Sequence, residues 1–168
     1  MTLRFAPNLS MLWAGLPLAD RFECAAQAGF GAVELWWPGD AEAAALPALV
    51  SRWNLRLALL NFDGGDLAAG AAQTGQPNVR LQYDVYHMQR TEGDLTAPLD
   101  EYWPLISHVQ IADVPGRHEP GTGEINYPFV LGHLDRKGYP GAVGLEYYPS
   151  TGRTEDSFGW LEAYRCQP

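Results

Sequence analysis

"GDLAAGAAQTGQPNVRLQYD", residues 65–84, lies between and overlaps two apolar runs, 55–62 and 79–85, each of which reads as a buried strand. Gly64, Gly65, Gly70, Gly75 and Pro77 punctuate the join and leave little more than residues 67–73 as helix-forming material. A crossover between neighbouring parallel strands takes a dozen or more residues, usually a helix. The stretch therefore marks a seam, near residues 64–78, where something expected between two strands is absent.

Outward from the seam the pattern is regular. Before it come a strand within 3–9, a helix over 18–28 with Leu18, Phe22 and Ala25/Ala26 at helical spacing, a strand over 31–37, an Ala/Leu-rich helix over 41–53 and the strand over 55–62. After it come a strand over 79–87, a helix near 99–105, a strand over 107–114, a long loop, a helix over 127–137, a strand over 141–148 and a last helix over 156–164. Asn126 suits the N-cap of the helix after the loop, Pro128 its first turn, and Gly138 the position past its end. "AGFGAVELWWP" (28–38) and "KGYPGAVGLEYYP" (137–149) echo one another, as a repeated helix-to-strand unit would.

Strands alternating with helices imply a parallel sheet covered by helices. No G-x-G-x-x-G turn follows the first strand, which favours a closed (β/α) barrel over an open dinucleotide-binding sheet. An eight-unit barrel takes about 250 residues; this chain has 168 and six strand candidates. The reading is a single α/β domain over residues 1–168, an incomplete barrel two units short, each unit needing about 30 residues.

The totals restrict the partners. A net charge of −9 with no Lys/Arg cluster argues against a nucleic-acid backbone or an anionic membrane surface. No apolar stretch approaches the roughly 20 residues of a spanning helix, and Pro7, Gly15 and Pro17 interrupt the N-terminal apolar residues as a secretory signal would not be interrupted. Cys24 and Cys166 form neither a disulfide framework nor a CxxC site. A cytoplasmic protein is expected.

Three late strands end in oxygen-bearing side chains: Asp84, Gln110 and Glu146, at spacings of 26 and 36 residues, one β/α unit per step. On a parallel barrel the C-terminal strand ends open onto one face, where active sites lie. Alternation in "GAVGLEYY" sends Ala142, Gly144 and Glu146 inward and Val143, Leu145 and Tyr147 toward the helices. An all-oxygen set suits a hard divalent cation, Mg²⁺ or Mn²⁺. His87, three residues after Asp84, and Arg117 in the loop "GRHEPGTGEINYP" would bind a small hydroxy- or oxo-acid, the guanidinium forking its carboxylate. His108 and His133 read as structural.

The stretches "RFAPNLSMLW", "AGFGAVELWWP", "LQYDVYHMQ", "HVQIADVPGRHEPGTGEINYP" and "GLEYYP" resemble hydroxypyruvate isomerases of the xylose-isomerase-like TIM-barrel superfamily. The resemblance implies isomerisation of hydroxypyruvate and tartronate semialdehyde through an enediol. It also implies Asp84, Gln110 and Glu146 as metal ligands, Glu146 as one of two catalytic glutamates, and His87 and Arg117 as substrate contacts. It places the second glutamate at the end of a fifth strand, and the fourth and fifth strands have no counterpart here. Glu34, Asp63 and Asp66 lie at or beyond strand ends on the same face, in positions that the resemblance does not assign to that ligand. If the strands flanking the seam stay unpaired, their exposed edges invite self-association, so a homo-oligomer is a further expectation. The remaining alternatives are a non-catalytic remnant that binds a small acid or a partner subunit, and a metal-dependent nuclease, which the acidic charge disfavours.

Overall fold

The computed structural model describes residues 3–61 and 80–164. The seam and the short helix expected at 67–73 lie outside the described residues.

Among the described residues six strands alternate with helices: β1 (Arg4–Pro7), α1 (Leu18–Gln27), β2 (Ala32–Trp36), α2 (Asp40–Ala43), α3 (Leu46–Arg52), β3 (Arg56–Asn61), β4 (Leu81–Asp84), α4 (Val85–Thr91), α5 (Ala97–Glu101), β5 (Ile106–Ile111), α6 (Tyr127–Arg136) and β6 (Ala142–Leu145). Two 3-10 segments, Trp103–Leu105 and Thr154–Ala163, complete the set. All ladders are parallel. A bridge from Asn8 to Glu34 joins β1 to β2, so the strands follow one another as β3-β2-β1-β6-β5-β4. Among the described residues no ladder joins β3 to β4, the two strands that flank the seam. The described residues form an arc of six staves.

The echo in the sequence has a local cause. In α1 the chain leaves the helix through Gly29 at φ +84°, with Gly29 N–H donating to the Ala26 carbonyl and Phe30 N–H to that of Ala25. At the end of α6, Gly138 at φ +69° repeats this: its N–H donates to Asp135 and that of Tyr139 to Leu134. Both ends are Schellman motifs, which need a residue tolerant of the left-handed region. Each turn then leads to a glycine followed by a strand that begins Ala-Val.

Packing follows the alternation. Val143, Leu145 and Tyr147 are fully buried and pack in the main core with Phe22, Leu35, Ile111 and Leu131, whereas Ala6, Ala32 and Ala142 form a separate small-residue layer joined by Ala58. Each fully buried large aliphatic side chain in the main core is worth about 1.5–3 kcal/mol relative to exposure. The inner layer leaves room for polar side chains above it.

Three expected elements are corrected. The strand expected over 79–87 ends at Asp84, because that carboxylate accepts from the N–H groups of Tyr86 and His87 and caps α4. The helix expected over 41–53 divides into α2 and α3, with Pro47 in the first turn of α3, where its missing N–H costs no bond. The last helix is 3-10 rather than α.

Candidate active site

Asn8, Glu34, Asp84, Gln110 and Glu146 come from five different strands, in or just past them, and approach the C-terminal mouth of the arc. β6 and β5 set Glu146: its N–H continues the ladder by donating to the Ile111 carbonyl at 3.2 Å. Arg117 arrives from the loop after β5. Its backbone sits at φ +55°, an uncommon region for a residue with a side chain, and its carbonyl accepts from Tyr148 N–H.

The loop is organised from below by Asp113, which is 1% exposed. Its Oδ1 accepts from the N–H groups of Val114 and Ile125, and its Oδ2 from those of Gly121 and Gly123, at 2.9–3.1 Å. Gly123 has to be glycine for another reason: a Cβ there would lie 1.9 Å from the Val114 carbonyl oxygen. Glu119 ties the loop to the segment after β6, accepting from Ser150 N–H and hydroxyl.

Arg117 binds two carboxylates. Its Nη2 lies 2.5 Å from Glu146 Oε2 and 3.8 Å from Asp84 Oδ2, and its guanidinium stacks 5.1 Å from the Tyr86 ring centre. Burial, and then the negative charge of Glu146, push the Asp84 carboxyl up to about 7, against the opposing pull of Arg117. His87, more than half exposed, stands 3.6 Å from Asp84. Burial and the neighbouring Arg117 charge hold its imidazole below the usual histidine range.

Gln110 faces elsewhere. Its Nε2 donates to Glu34 Oε1 at 2.6 Å, and its Oε1 accepts from Gln82. Glu34, noted in the sequence only as a carboxylate on the same face, is a hub whose role sequence reasoning missed. It is 0% exposed, and it also accepts from Asn8 Nδ2 at 3.1 Å and meets His108 Nε2 at 2.6 Å. The available signal was a carboxylate in the middle of the apolar run "GAVELWW". Trp36, also unforeseen, donates its indole N–H to Glu146 Oε1 at 2.9 Å. His133 lies apart from this group, 2.9 Å from Asp100.

The family model for the xylose isomerase-like TIM barrel matches residues 62–164. The chain belongs to that family. The 2-oxo-tetronate isomerase of Pectobacterium atrosepticum is 28% identical to this xylose isomerase-like barrel over 256 aligned positions, covering 96% of the chain and 97% of the relative. The hydroxypyruvate isomerase of Escherichia coli is 28% identical over 258, covering 97% and 100%. A solved structure described as a family 2 AP endonuclease from Brucella melitensis superposes with a TM-score of 0.85 at 29% identity, covering 98% of this chain and 100% of that one. An alignment of 256 positions against 168 residues leaves at least 88 without a counterpart. This member of the xylose isomerase-like family is thus shorter than those two isomerases by at least that much, while matching nearly their whole length.

The donor chemistry can be tested against a divalent cation. Two carboxylate oxygens, from Asp84 and Glu146, already converge on one cationic nitrogen. That suits a hard ion held by one or two carboxylates with water or substrate completing its shell. Among the described residues no three His, Cys, Asp or Glu side chains cluster as a metal site, so the fit is that of a two-carboxylate site. No helix among the described residues is long and apolar enough to cross a membrane.

Proposed function

We propose that the chain is an isomerase of the hydroxypyruvate type, interconverting hydroxypyruvate and tartronate semialdehyde through an enediol. The observation that carries this reading is Arg117 drawn between Asp84 and Glu146 at the mouth of a parallel barrel. The names of the two isomerase relatives supply the substrate class, a small sugar acid.

In this mechanism Glu146 removes a proton from the hydroxymethyl carbon and a proton returns to the adjacent carbon, while the oxygens exchange theirs, so the product is an isomer with no net gain or loss. Glu146 is 5% exposed and its carboxylate is oriented by Trp36 and Arg117, as an acid/base group must be. Arg117 and His87 bind the anionic substrate and offset charge on the enediolate. A divalent cation, Mg²⁺ or Mn²⁺, would be held by Asp84 and Glu146 and would polarise the substrate carbonyl; the amide of Gln110, the third ligand expected from the sequence, is already engaged by Glu34 and Gln82.

A second reading, a remnant that binds a small hydroxy- or oxo-acid without turning it over, is favoured by the missing counterpart of at least 88 aligned positions. Glu34 does not replace the absent glutamate as a base, because both its oxygens are engaged and none of its surface is exposed. An assay of hydroxypyruvate isomerisation with added Mg²⁺ or Mn²⁺ separates the readings. Turnover that is lost in Glu146→Gln supports the isomerase, and ligand binding without turnover supports the remnant.

A further inference from the structure

The buried carboxylate of Glu34 has no place in the proton transfer, yet three side chains from two other strands converge on it. We infer that Glu34 is a positioning residue that fixes where the Glu146 carboxylate lies and which end of the Gln110 amide is turned toward Gln82. The inference rests on the reading of Glu146 as the acid/base group.

A carboxylate only accepts hydrogen bonds. Asn8 and Gln110 must therefore both turn their NH₂ groups to Glu34 Oε1, at 3.1 and 2.6 Å. The oxygen end of Gln110 is left pointing away, where it accepts from Gln82. The oxygen end of Asn8 accepts from Ser10 N–H at 3.0 Å, and the Ser10 hydroxyl accepts from Trp36 N–H at 2.9 Å. Glu146 Oε1 is then met by two donors that this chain of bonds has placed: the Trp36 indole at 2.9 Å and Asn8 Nδ2 at 3.5 Å.

The space for Glu34 is built in as well. A Cβ on Gly144 would lie 2.1 Å from Glu34 Oε2, so β6 omits a side chain where this carboxylate enters. Counting from the shared Gly-Ala-Val, Gly144 is the position in β6 that Glu34 occupies in β2. His108, at 2.6 Å, closes the remaining oxygen. Apolar side chains in place of such a buried carboxylate and its partners together are often no less stable, so orientation of the amides is the gain assigned here to the buried group.

The test uses the full chain carrying Glu34→Gln, which puts an NH₂ group in place of one of the two oxygens that Asn8, Gln110 and His108 share. The first readout is the indole N–H resonance of Trp36, assigned by its loss in Trp36→Phe, because that proton reports the position of Glu146 without requiring turnover. It is expected to move in Glu34→Gln, and also in Gly144→Ala, which displaces the same carboxylate by contact rather than by charge. The second readout is kinetic: kcat is expected to fall about a hundredfold, as for a misplacement of roughly 1 Å, with KM changed far less. Glu34→Asp, which keeps an acceptor, should recover part of kcat. Val33→Ala, a packing loss next door, should lower stability without moving the resonance or splitting kcat from KM.

A folded Glu34→Gln protein with the wild-type indole resonance and wild-type kcat overturns the inference. If that variant does not fold, Gly144→Ala and Glu34→Asp decide by the same two readouts. If the wild-type chain does not isomerise hydroxypyruvate, the functional reading fails, and the indole resonance still decides whether Glu34 positions Glu146.

Discussion

Replacing Asp113 by Ala should unfasten the loop that carries Arg117. The carboxylate accepts four backbone N–H groups. Two belong to the exposed residues Gly121 and Gly123, where water can take over, and two to the buried residues Val114 and Ile125, where it cannot. A buried donor left unpaired costs about 1–3 kcal/mol, so the expected loss is about 2–6 kcal/mol, centred near 4. For a domain of this size that corresponds to a drop in Tm of about 10 °C. Asp113→Asn keeps one accepting oxygen and should lose about half as much. Urea and thermal unfolding followed by circular dichroism measure the loss, and hydrogen exchange at Gly121, Gly123 and Ile125 locates it. A loss below about 1 kcal/mol in Asp113→Ala, with unchanged protection of those amides, would refute the reasoning.

Asp84→Asn keeps a residue that caps α4 as well as aspartate does, but removes a carboxyl raised to about 7. A carboxyl whose folded pKa lies above its unfolded value near 4 costs stability progressively as pH rises from 4 to 7. The variant should therefore gain stability relative to wild type between pH 4.5 and pH 8, read from urea midpoints; a difference independent of pH would contradict the assignment. Gly123→Ala forces a methyl group against the Val114 carbonyl and should cost about 1–3 kcal/mol. Gly159→Ala, which meets nothing within 4 Å, serves as its control in the same thermal melts.

The alternation of strands and helices was legible because each unit carries its own punctuation. The bond from Phe129 N–H to Asn126, and the left-handed turns at Gly29 and Gly138, are local devices that a sequence displays. The six parallel staves of the described residues followed from that pattern, and the family from the resemblance of particular stretches such as "LQYDVYHMQ". Elements set by a local competition were less legible. Asp84 reads as the last polar residue of a longer strand, but its side chain turns back on the next two amides and starts a helix. At the mouth, the approach of Asp84, Glu146 and Arg117 follows from parallel strand ends and one loop. The role of Glu34 was not legible, because its partners Asn8, His108 and Gln110 lie 26 to 76 residues away and only the closed register of β1, β2 and β5 brings them to it.

The central claim is that Glu146 moves a proton on a small oxo-acid held at this mouth. Its most direct measurement is the exchange of the C3 hydrogens of hydroxypyruvate in deuterium oxide, followed by proton NMR with and without added Mg²⁺. Enzyme-dependent exchange that disappears in Glu146→Gln is the expected result. Exchange at the buffer rate, or exchange that survives in Glu146→Gln, would contradict it.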